Sequence, residues 1–230
     1  MPTEHLFTNN DEAAAHLATR IAALLTDAIA TRGTASLALS GGRSPKPVLE
    51  ALAATPLDWS KVVVTLVDER WVAPDAPDSN ERLLRETLLT GPAAAAHFVP
   101  MKNDAADAYA GQPAVEAAFA AIPWPLDIVL LGMGEDGHTA SLFPAAAELA
   151  DGLTGTARTI AVTPPAAPHQ RLSLTASAIL AARHVFLQIS GDAKKAVYAR
   201  ALEDGPVEQL PIRLALRQDA TPVEVWISAQ

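Results

Sequence analysis

Apolar positions fall along this chain in two alternating rhythms. Over residues 11–32 they recur at Leu17, Ile21, Leu24, Leu25 and Ile29, the spacing of one helix face, and Gly33 stands where a C-cap glycine belongs. Ser36-Leu-Ala-Leu-Ser40 then reads as a short buried strand, closed by Gly41-Gly42, and Pro45 opens a second helix to about Ala54. The β-branched run Lys61-Val-Val-Val-Thr-Leu-Val67 is the clearest strand. Ser79 is placed to cap a helix over residues 80–89. Another helical pattern runs from about Ala105 to Ala121, where Pro123-Trp-Pro125 stops it. Later strands are predicted at 127–131, 158–163, 184–190 and 223–228, with helices at about 175–182 and 192–203. Strands apolar on both faces, separated by helices, predict α/β architecture: one three-layer domain over residues 1–230, its mostly parallel sheet covered by helices on both faces. Ligands of such sheets bind outside the carboxyl ends of the strands.

Composition narrows the chemistry. Of 230 residues, half are hydrophobic and 19% charged, which excludes a disordered chain; blocks such as the alanines at 93–96 mean that core volume is smaller than the count suggests. Cysteine is absent, so a disulfide scaffold, a cysteine nucleophile and a thiolate metal site are excluded, and a reducing compartment fits. A net charge of -9 without a basic stripe argues against nucleic acid. An anionic ligand must therefore meet cations gathered locally. The first residues lack the basic flank and apolar run of a signal peptide, and runs such as 127–132 are too short to span a bilayer. The expectation is a cytoplasmic protein with no membrane partner, monomeric or a small homo-oligomer.

Each predicted strand hands over to a polar cluster. Ser40-Gly41-Gly42-Arg43 follows the first, Asp68-Glu69-Arg70 the second, Gly132-Met-Gly-Glu135-Asp136-Gly137-His138 the strand at 127, and Gly191-Asp-Ala-Lys194 the strand at 184. Hydroxyl, acid, base and cation thus collect at one end of one sheet. The Ser-Gly-Gly turn is suited to cradle an anion through backbone N–H groups, with a helix N-terminus behind it. Lys194, and Arg171 just ahead of the helix at 175, are candidate further anion contacts. Singly, each reads better as an ordinary turn or surface charge; Asp68 and Arg70 suit a site and a local ion pair equally. His138, on a glycine-rich loop beside Glu135 and Asp136, is the candidate acid/base. His5, His16, His97, His169 and His184 read as surface or packing residues.

Three other chemistries are set aside. Residues 132–137 match G-x-G-x-x-G, but mid-chain, without the ribose-binding acid about 20 residues on. No H-E-x-x-H spacing suggests zinc, and no G-x-S-x-G elbow suggests a serine hydrolase.

Taken together, Leu39-Ser-Gly-Gly42, Val67-Asp-Glu-Arg-Trp71, the block from Gly132 through Gly137-His-Thr-Ala-Ser141 to Pro144, Arg171-Leu-Ser-Leu-Thr175 and Gly191-Asp-Ala-Lys194 resemble the 6-phosphogluconolactonase family, in the family's order across residues 10–228. The resemblance implies a Rossmann-like fold shared with glucosamine-6-phosphate deaminases and phosphosugar-sensing domains. It also implies hydrolysis of 6-phospho-D-glucono-1,5-lactone, the second step of the oxidative pentose phosphate pathway, with water as co-substrate and no cofactor. His138 would then be the general base, oriented by Asp136. Ser40, Gly41, Gly42, Arg43, Arg171 and Lys194 would hold the phosphate, with Asp68 and Arg70 nearby and backbone N–H groups of the 132–137 loop as oxyanion donors. Deaminases carry a glutamate five positions after the histidine, where this chain has Phe143, and usually Asp-Glu-Tyr where it has Asp68-Glu69-Arg70. A deaminase or a non-catalytic phosphosugar-binding domain is the alternative.

Overall fold

The computed structural model describes every residue except Met1, Arg43 and Gln230. In chain order the elements are β1 (Thr3–Phe7), α1 (Asn10–Arg32), β2 (Ala35–Leu39), α2 (Lys46–Ala53), β3 (Val62–Leu66), β4 (Asp68–Arg70), α3 (Asn80–Thr87), β5 (His97–Phe98) and α4 (Ala108–Ala118). They continue with β6 (Ile128–Leu131), α5 (Leu149–Thr154), β7 (Thr159–Val162), β8 (Arg171–Leu174), α6 (Ala176–Leu180), β9 (His184–Ser190), α7 (Asp192–Leu202), α8 (Arg213–Leu216) and β10 (Val223–Ser228).

Seven strands form one parallel sheet in the order β1-β10-β9-β6-β2-β3-β5. Every residue of the central strands β2 and β6 is buried, so both faces are covered, as their unbroken apolar sequences require. From β2 the chain proceeds outward through β3 to β5; from its neighbour β6 it proceeds the other way through β9 to β10. The gap between β2 and β6 is therefore the topological switch point, where a crevice opens at the carboxyl ends.

Local sequence explains the longest helix. Asn9 caps α1 by accepting from the Glu12 N–H at 2.8 Å, and Gly33, at φ 79°, ends it by donating to the Ile29 carbonyl. By length and mean hydropathy (1.2) α1 would reach across a membrane. It instead joins two strands of one sheet and buries Leu17, Ile21, Leu25 and four alanines as a core helix.

One expectation needs correction: the strand predicted at 158–163 does not join the parallel sheet. Arg171 does lie just ahead of the helix at 175, but within a strand that the sequence pattern does not show. Both belong to a second, antiparallel sheet of order β4-β8-β7, in which Asp68 faces Ser173 and Arg70 faces Arg171. β4 continues from β3 almost without interruption, and the Leu174 N–H donates to the Val67 carbonyl at that junction. The small sheet thus grows from the carboxyl end of the large one and walls the crevice. Also beyond the predicted pattern are β1, β5, α5 and α8, most of them only a few residues long.

Candidate active site

At the switch point the ends of β2 and β6 are tied together: the Gly132 N–H donates to Ser40 Oγ at 2.8 Å. Gly41 is pressed against α3, where an added Cβ would lie 1.9 Å from Asn80 Oδ1; Gly42 has φ 102°, which favours glycine. Arg43 lies outside the described residues. α2 begins at Lys46 with Pro45 as its N-cap, where the sequence places the start of the helix after the turn.

A cavity of about 300 Å³ opens here, lined by Ser40, Gly41, Gly42, Asp68, Arg70, His138, Arg171 and Lys194 among others. The predicted clusters do converge. Lys194, in the first turn of α7, is on the wall, whereas Lys195 pairs with Asp192 at 3.6 Å.

Cations gather on one wall of the cavity. The β4/β8 register places Arg70 directly opposite Arg171, and the carboxylates of Asp68, Glu69 and Asp78 offset the repulsion on Arg171. Arg171 is 7% exposed and donates to the Pro168 carbonyl; Arg70 donates to the Asp78 carbonyl at 2.6 Å. Both Nε groups are buried without a partner. Burial weakens the hold of Arg171 on its proton, against the opposing pull of Asp68. Asp68 accepts from the Ser141 hydroxyl at 2.6 Å, and Asn80 Nδ2 donates to the Asp68 carbonyl at 2.8 Å.

His138 stands on a loop braced from within. The Gly134 N–H donates to the His138 carbonyl and the Gly137 N–H to the Gly134 carbonyl. Asp136 Oδ1 lies 2.5 Å from His138 Nδ1 and accepts the His138 backbone N–H at 3.1 Å. Partial burial works to raise the Asp136 carboxyl, but the hydrogen bond and charge of His138 prevail and hold it below its ordinary range. With Nδ1 engaged by the carboxylate, Nε2 is the nitrogen left for chemistry. Asp136 is thus a partner behind the imidazole; the cavity wall is His138 itself, with Phe143 packed on its ring at 4.3 Å.

Sequence reasoning passed over several residues. Asn80 resembles any first residue of a helix, and Phe143 any apolar loop residue, yet both line the cavity. Glu69 is buried and accepts from the Ser79 hydroxyl and from the backbone N–H groups of Arg70, Asn80 and Glu81, pinning β4 to the start of α3. Burial raises its carboxyl despite those donors. The sequence shows it only as one member of the Asp68-Glu69-Arg70 cluster at a strand end, with no sign of this bracing role.

A larger cavity, about 710 Å³, lies at the amino ends of β1, β9 and β10. Its charges are spent on each other: Glu224 receives both His5 and Arg20. Among the described residues no cluster of His, Asp and Glu is arranged to hold a metal ion.

Known proteins resemble this chain in sequence and fold. Residues 8–225 match the family described as glucosamine-6-phosphate isomerases/6-phosphogluconolactonase. A 6-phosphogluconolactonase of Pseudomonas putida is 45% identical over 93% of this chain and 87% of its own, and one of Rhizobium meliloti (strain 1021) is 44% identical over 96% and 97%. The crystal structure of a 6-phosphogluconolactonase from Shewanella baltica OS155 superposes with a TM-score of 0.98 at 44% identity, covering 100% of this chain and 98% of that one. A monomeric glucosamine-6-phosphate deaminase, at 20% identity and a TM-score of 0.81, shares the fold alone. This chain belongs to the glucosamine-6-phosphate isomerase/6-phosphogluconolactonase family, and its near relatives are the lactonases.

Proposed function

We propose that the chain hydrolyses 6-phospho-D-glucono-1,5-lactone to 6-phosphogluconate with His138 as general base. The observation that carries this reading is one cavity in which two opposed, under-satisfied guanidiniums stand beside a histidine whose Nδ1 is held by a carboxylate. The guanidiniums ask for a dianion such as a phosphate ester, and the histidine for a proton to move.

Arg70, Arg171 and Lys194, with the Ser40-Gly41-Gly42 turn, hold the phosphate. That remote anchorage places the lactone carbonyl at the imidazole. Nε2 takes a proton from water as the water oxygen bonds to C1. The tetrahedral intermediate then breaks its C1–ring-oxygen bond, and Nε2 returns the proton to that oxygen. A positioned base of this kind contributes ~10²–10⁴-fold. Asp136 holds the tautomer that leaves Nε2 basic and steadies the imidazolium. Within the 132–137 loop the amides of Gly132, Gly134 and Gly137 are already committed within the protein. The oxyanion donor of that loop is therefore assigned to Met133, which lines the cavity.

The test is a comparison of the 6-phosphorylated lactone with glucono-1,5-lactone, each corrected for spontaneous opening. Since hydrogen bonds to charged groups contribute about 1.5–3 kcal/mol each, loss of the phosphate is expected to lower kcat/KM at least ~10²-fold. Equal kcat/KM for the two lactones would remove the phosphate from the site.

A further inference from the structure

Asp136 secures His138 at a single ring atom, Nδ1. That bond and the close approach of Gly134 hold the Nδ1 edge of the ring; the ring face is held by packing. The second constraint is Phe143. Its ring packs on the imidazole with centroids 4.3 Å apart and planes 34° from parallel, while the Arg171 guanidinium lies 5.9 Å from the same ring. Phe143 is 7% exposed and lines the cavity.

The frame beneath Phe143 is fixed to the site on several sides. The Thr139 hydroxyl donates to the Gly132 carbonyl at 2.9 Å, Thr139 and Leu142 form an isolated bridge, and the Ser141 N–H donates to Ser173 Oγ of β8. Ala140 and Ala145 on either side of it adopt φ of 48° and 61°. Non-glycine residues hold that conformation only where surrounding contacts impose it. This segment, without helix or strand of its own, is shaped to present one ring.

We propose that Phe143 is a positioning residue: its ring, packed between the His138 imidazole and the Arg171 guanidinium, sets the angle of the base toward a lactone whose phosphate Arg171 holds. The inference rests on the hydrolytic reading above and adds to it the part that couples the phosphate anchor to the base.

Phe143→Leu tests it, keeping apolar character but removing the aromatic face. Since small displacements of a reacting group cost rate steeply, kcat for the 6-phosphorylated lactone is expected to fall on the order of tenfold, with KM changed less than about threefold. In the substrate-free protein the His138 Nδ1–H signal in the nitrogen-15 NMR spectrum is expected to broaden or exchange away as the ring gains freedom. A merely structural phenylalanine would leave that signal in every molecule that remains folded. A kcat within about twofold of the wild type, or a lower kcat with the signal intact, overturns the proposal. Should the leucine variant not fold, Phe143→Met is read in the same way. A wild-type protein without lactonase activity would contradict the hydrolytic reading instead, and the NMR comparison would still judge the positioning of His138.

Discussion

Arg70 and Arg171 stand directly opposed in an antiparallel pair, with the Asp68 carboxylate beside Arg171. Arg171→Ala should raise KM about 10-fold or more, by losing a charge-assisted contact, with a smaller effect on kcat in protein that still melts cooperatively. Steady-state kinetics and a melting curve check this; an unchanged KM removes Arg171 as an anchor. Asp136 carries a pH prediction. Its carboxyl is held below its ordinary value in the folded protein, so its hold on His138 is present above the unfolded value of about 3.9 and fades only as pH falls through the lower folded one. Asp136 thus stays charged across the neutral range, and its own titration sets no limb of the rate profile there. Asp136→Asn, unable to hold the same tautomer, should lower kcat ~10²-fold or more with KM nearly kept. A loss confined to KM would place Asp136 on the substrate instead.

At the scale of elements, Gly41, Gly134 and Gly137 hold their loops tight because the structure leaves no room there for a side chain. A Cβ on Gly134 would fall 2.2 Å from His138 Nδ1 and 2.5 Å from Asp136 Oδ1. Gly134→Ala must push that pair apart, so kcat should drop by at least ~10-fold while the melting temperature moves little; a fully active alanine variant would contradict the pairing. The same scale shows what the sequence made legible. α1, β2, β3 and β6 announce themselves because a single demand, burial, sets their pattern. β4 and β8 do not, since Asp68, Arg70, Arg171 and Ser173 occupy strand positions for the sake of the cavity, and polar side chains there disguise buried strands. Glycine turns, cations and His138 could be read as a site because each follows a strand. Asn80 could not, because only the register between distant elements brings it to the cavity, and Phe143 stands out only as the position where deaminases carry a glutamate.

For the whole molecule, the order of strands places the site: β2 and β6 part the chain into two directions, and the second sheet closes the resulting crevice. A protein of net charge -9 that takes an anion must do so through such local convergence. The frame is a fully buried apolar core centred on strands such as β2. Leu37→Ala in its middle should cost about 2–5 kcal/mol, a fall of roughly 4–20 °C in Tm at about 2–4 °C per kcal/mol; a change under about 2 °C would mean that β2 is not the packed centre of the fold. The decisive experiment follows freshly generated 6-phosphogluconolactone with no protein, with wild-type protein and with His138→Ala. The expected result is a rate far above spontaneous opening that falls ~10²–10⁴-fold in the variant, while the variant still binds 6-phosphogluconate. A variant that opens the lactone as fast as the wild type, or a wild type no faster than water, would contradict general-base hydrolysis by His138.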